Sequence, residues 1–140
     1  REIEGYFPKP PPLKAFDWLP EEEIRKLEEK GIRNAAELLE ATRGGNALKE
    51  LAQSAGTSAK VLEILIRLAD LTRVQWVSPL AARMILEAGY SSARELAEAD
   101  AEELSEVLER VNKENDYFRG KIGLRDIRRL IRAAVNLTDI

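Results

Sequence analysis

Nine residues of this chain recur in the same order, each 58 positions further on. Trp18, Arg25, Glu29, Gly31, Ala35, Glu37, Leu38, Glu40 and Ala41 return as Trp76, Arg83, Glu87, Gly89, Ala93, Glu95, Leu96, Glu98 and Ala99. A self-match at fixed spacing constrains a fold more than local propensity does, because both copies must form one shape and bury one face. The second copy, from Val74-Gln75-Trp76-Val77-Ser78-Pro79 through Gly89 to Ala99, reads as a tight turn and two short helices. Glycine separates the two helices.

The punctuation repeats along with the residues. Pro20 followed by Glu21, Glu22 and Glu23 suits a helix start, where the macrodipole favours carboxylates. Ser78-Pro79 is the equivalent start in the second copy. Gly31 and Gly89 are stops in the left-handed backbone that glycine adopts cheaply. Asn34 with Glu37, and Ser92 with Glu95, have the spacing of capping boxes.

Supporting helices follow each copy. Gly44-Gly45 breaks the chain, and Asn46 is placed to cap a helix carrying Leu48 and Leu51 to about residue 55. Gly56-Thr57-Ser58 resets it, and Val61, Leu62, Leu65, Leu68 and Leu71 then share one face. In the second half, Asp100 with Glu103 opens a helix with Leu104, Val107, Leu108 and Val111 inward. After a polar loop, a helix over 124–137 carries Ile127, Leu130, Ile131 and Leu137, matching Val61, Ile64, Leu65 and Leu71. No strand pattern competes. The expected fold is all-α, with a first unit over 14–72 and a second over 73–140 packed as one compact helical domain.

Residues 1–13 differ in kind. Phe7-Pro8-Lys9-Pro10-Pro11-Pro12-Leu13 is a polyproline-type lead-in, expected to be an extended arm or linker that lays Tyr6 and Phe7 on the helices. Pro8 and Pro11 also satisfy the PxxP spacing of a ligand for a proline-binding groove. The chain opens on Arg1 rather than methionine, so a piece of something longer is expected.

What the chain lacks narrows its chemistry. It has no cysteine and no histidine, which excludes disulfides, thiolate nucleophiles, the usual zinc sites and histidine acid–base catalysis. No nucleophile–base pair can be named, so neither an enzyme nor a cofactor or metal is expected. No apolar run approaches the roughly 20 residues that span a bilayer, and a cytoplasmic protein without membrane contact is the expectation.

Two short helices about a tight turn, then supporting helices, all repeated once, resemble tandem helix-hairpin-helix (SAM-like) units. More closely, residues 73–99 and Val111-Asn112 are similar to an uncharacterised bacterial family of domains of unknown function built from two such units. The likeness covers about residues 16–137. The wider class binds DNA backbone through a hairpin carrying two glycines, where bare amides approach a phosphate. Here those positions hold Trp76 and Ser78 in the second hairpin, and Trp18 and Pro20 in the first. The hairpins are therefore degenerate. Tryptophan screens the backbone and proline has no N–H, which leaves Ser78 as the weaker remnant of a cradle.

Charge supplies the other candidates. Arg125, Arg128, Arg129 and Arg132 fall at i, i+3, i+4 and i+7 on one helix face, with Arg119 and Lys121 just before them and Tyr117 and Phe118 alongside. That is either a footprint for backbone phosphates or the solvated side of an amphipathic helix. Glu95, Glu98, Asp100, Glu102, Glu103, Glu106 and Glu109 form an acidic stretch with no intervening lysine or arginine. It pairs with the arginines within the molecule, or between neighbours head to tail. Trp18 and Trp76 read as end plugs of the two hydrophobic units or as anchors for a partner. The net charge of −3 and the lost glycines favour a non-catalytic interaction or scaffold module with a protein partner. The alternative is sequence-independent nucleic-acid binding by the arginine helix and the second hairpin. The oligomeric state stays open.

Overall fold

The computed structural model describes residues 9–119 and 122–138. These are all-helical, with eight α-helices and no strand among the described residues. The first four are α1 (Glu21–Glu29), α2 (Ala35–Ala41), α3 (Ala47–Ala55) and α4 (Ala59–Leu71). The rest are α5 (Pro79–Glu87), α6 (Ala93–Ala97), α7 (Ala101–Asn115) and α8 (Leu124–Thr138). A short 3-10 turn, Leu13–Ala15, precedes them.

Several turn, stop and cap bonds recur in the two copies, although only the second has a side-chain cap on its first helix. The Leu19 N–H donates to the Phe16 carbonyl at 3.2 Å, and the Val77 N–H to the Val74 carbonyl at 3.1 Å. Both carbonyls belong to fully buried residues. Gly31 and Gly89 stop α1 and α5 at φ +86° and +103°, and each lets the next residue donate back into the helix: Ile32 N–H to Leu27 and Tyr90 N–H to Ile85. The Asn34 side chain accepts from the Glu37 N–H at 2.8 Å, and Ser92 Oγ from the Glu95 N–H at 3.1 Å. The glutamates reach back one residue further than a capping box would have them: Glu37 takes the Arg33 N–H and Glu95 the Ser91 N–H. Those Ser91 bonds, from amide and hydroxyl, hold the Glu95 carboxyl below its ordinary pKa.

One helical start departs from expectation. Asn46 precedes α3 but its side chain makes no capping bond. Ser58, Ser78 and Asp100 do cap α4, α5 and α7.

Helix α4 is the centre of the first half. Its Leu62, Leu65, Leu68 and Leu71 are fully buried, and it packs on α2, α3 and α5. In the second half α8 packs on α6 and α7 in the places that α4 holds against α2 and α3. Ile127 and Ala134 of α8 are fully buried, while Leu130, Ile131 and Leu137 are half-buried. All buried apolar residues of the two halves belong to one cluster. The α4–α5 junction joins the halves further, because Asp70 Oδ2 accepts the Ala93 N–H at the start of α6 at 2.8 Å.

The described end of the proline-rich arm is docked rather than free. Pro11 accepts the Ala35 N–H at 3.0 Å and the Leu13 N–H donates to Arg33 at 2.9 Å, a short antiparallel pairing. Leu13 is fully buried. Tyr6, Phe7 and Pro8, and with Pro8 the PxxP pair, lie outside the described residues. No described helix is long and apolar enough to cross a membrane.

Candidate nucleic-acid and partner interface

Helix α8 is amphipathic because Ile127, Leu130 and Ala134 fall on the side that meets α6 and α7, which leaves its arginines outward. Arg125, Arg128, Arg129 and Arg132 are all exposed and border one shallow depression. Among the described residues none of the four enters an ion pair. By contrast Arg25, Arg43, Arg67, Arg73 and Arg83 each face a carboxylate three or four residues away. The acidic stretch does not supply the missing partners. Glu95, Glu98, Asp100, Glu102, Glu103, Glu106 and Glu109 are exposed, and among the described residues none pairs with an α8 arginine. Glu95 and Asp100 are engaged as helix caps instead. Arg119 is exposed at the edge of the described region, and Lys121 lies outside it.

The arginine face continues onto the α4–α5 turn. The Arg129 guanidinium lies 5.5 Å from the centre of the Trp76 ring, within cation–π range. Trp76 is 57% exposed, more than any other large apolar side chain described. Its φ is +72°, at the third position of the turn that the Val77 N–H closes on Val74. That is the type II geometry in which glycine is preferred, because a Cβ there costs about 1–2 kcal/mol. Trp76 therefore stands on a glycine's backbone. The expectation that it plugs the end of a hydrophobic unit does not hold for it, since most of the ring is in solvent.

Ser78 follows two residues later, and its hydroxyl accepts the Ala81 N–H at 3.1 Å. The oxygen is used as a cap, and Pro79 at the first helical position adds no donor. Ser78 also edges a cavity of about 190 Å³ with Phe118 and Leu130. Phe118 is the second most exposed large apolar side chain at 44%. Asn112 holds it there, since Asn112 Oδ1 accepts the Phe118 N–H and its amide donates to the Phe118 carbonyl.

Residues 19–137 match a family model described as Domain of unknown function (DUF4332). The chain belongs to the DUF4332 family. No curated protein and no solved structure matches it.

Within this DUF4332 chain the two tryptophans divide their roles. Trp18 is half-buried, edge-on to Phe16 at 5.8 Å, with the Arg83 guanidinium 4.8 Å from its centre. Arg83 also lies 4.5 Å from the Tyr117 ring, and the Tyr117 hydroxyl donates to Glu87, which pairs with Arg83. Burial, then that carboxylate, push the Tyr117 phenol above its ordinary pKa. This cluster ties the turn carrying Phe16 and Trp18 to α5 and to the segment just after α7. Nothing in the residue spacing signalled it, apart from the recurrence of Arg25–Glu29 as Arg83–Glu87. Among the described residues no group of histidine, cysteine, aspartate or glutamate could hold a metal ion.

Proposed function

We propose that this DUF4332 chain is a non-catalytic interaction module, made of two degenerate helix-hairpin-helix units, that engages a polyanion through the α8 arginine face. Nucleic-acid backbone is the ligand this face fits. The observation that carries the reading is the row of four exposed guanidiniums with no ion pair among the described residues. Exposed charges are screened beyond about 10 Å, so the face attracts phosphates despite the chain's net charge of −3. The hairpins contribute little, because Ser78 is spent on its cap and Pro20 has no amide hydrogen.

A protein partner is the second reading, and Trp76 favours it, since tryptophan and arginine are the commonest interface hot spots. Salt separates the two. On labelled duplex DNA of mixed sequence, log affinity is expected to fall against log salt with a slope of about −3 to −4, the value for four neutralised phosphates. A flat response, or no binding at about 50 mM salt, contradicts the polyanion reading and leaves the protein partner.

A further inference from the structure

Four arginines explain attraction to any phosphate backbone, but not an indole held in solvent on a backbone that glycine takes without strain. Trp76 and Phe118 are the two most exposed large apolar side chains described, and both adjoin α8. Trp76 does so through Arg129, and Phe118 through the cavity it shares with Leu130. An exposed aromatic ring against a basic row suits a strand whose bases are unpaired, because every such base offers a π-face. In a duplex those faces are stacked away, and the ring would meet only grooves and backbone. The span from Arg125 to Arg132 is about 10 Å along the helix, enough to follow consecutive phosphates of one strand.

We infer, building on the polyanion reading above, that this face prefers single-stranded nucleic acid. Trp76 stacks on an unpaired base while Arg125, Arg128, Arg129 and Arg132 hold the phosphates.

The test uses the full chain carrying Trp18→Phe, so that Trp76 is the sole emitter of the two tryptophans. Four probes are titrated: an oligothymidylate about 12 nucleotides long, an abasic strand of equal charge, a duplex of the same length, and polyglutamate. The oligothymidylate is expected to quench Trp76 emission and to bind about tenfold tighter than the abasic strand and the duplex. Trp76→Gly suits the turn, so it keeps the fold; read with labelled strands, it should erase that advantage, so that the oligothymidylate and the abasic strand bind alike. Equal binding of all three nucleic-acid probes without quenching overturns the stacking inference while the polyanion reading stands. Absence of binding to any of them overturns both. Tighter binding of polyglutamate than of the oligothymidylate points to an acidic protein and overturns the inference.

Discussion

Leu65→Ala should lower the unfolding free energy by about 3–4 kcal/mol, the cost of removing a fully buried leucine whose surroundings cannot collapse. Leu65 sits at the middle of α4, the helix that packs on α2, α3 and α5 at once, so the space it leaves is bordered from several directions. Leu48 on α3 is a control within the same half. It is only half-buried, and Leu48→Ala should cost about 1 kcal/mol. Urea denaturation followed by helicity measures both. A shared interior also requires the Leu65→Ala protein to lose both halves in one transition, because all the buried leucines belong to one cluster. Equal losses for the two variants would mean that α4 is not the element around which the helices pack.

The second large effect is on binding. Arg128→Glu with Arg129→Glu replaces two adjacent guanidiniums on the exposed face by carboxylates, and should weaken nucleic-acid binding at about 50 mM salt by about 100-fold or more. Each phosphate contact contributes through release of condensed counterions, so two lost contacts cost about two orders of magnitude at that salt, and repulsion adds to it. Stability should change by only about 1 kcal/mol, since both side chains are exposed and the Trp76 stack is the single interaction removed. Titration of labelled DNA, with circular dichroism to verify helicity, reads both quantities. Unchanged affinity in the doubly reversed protein would place the polyanion elsewhere.

Much of the fold was legible because helix ends are written in short-range chemistry. Asn34, Ser78, Ser92 and Asp100 cap where their spacing places them, and Gly31 and Gly89 take the positive φ that a glycine stop needs. α1 and α5 begin and end with the same offset as the recurring residues, from Glu21 and Pro79 to Glu29 and Glu87. The arginine row was legible for the same reason, since helical periodicity alone sets which side chains share a face.

What was not legible depends on neighbours distant in the chain. Trp18 and Trp76 occupy one place in the repeat, yet Trp18 has Phe16 and Arg83 against it while Trp76 has Arg129 and solvent. No local pattern distinguishes them, and the positive φ of Trp76 is not one that its residue type suggests. The acidic stretch is not the arginines' internal partner among the described residues, and two of its members serve as caps. The spacing places Phe118 near the arginines, but not the pair of bonds by which Asn112 holds its backbone.

The most direct measurement of where the working surface lies is an amide correlation spectrum of the 15.8 kDa chain titrated with oligothymidylate. The two indole N–H resonances give an internal comparison. The account predicts that the Trp76 indole and the amides of α8 shift together, while the Trp18 indole and the amides of α2 and α3 stay still. Shifts centred on Trp18 or on the acidic helices α6 and α7, with Trp76 silent, would contradict it.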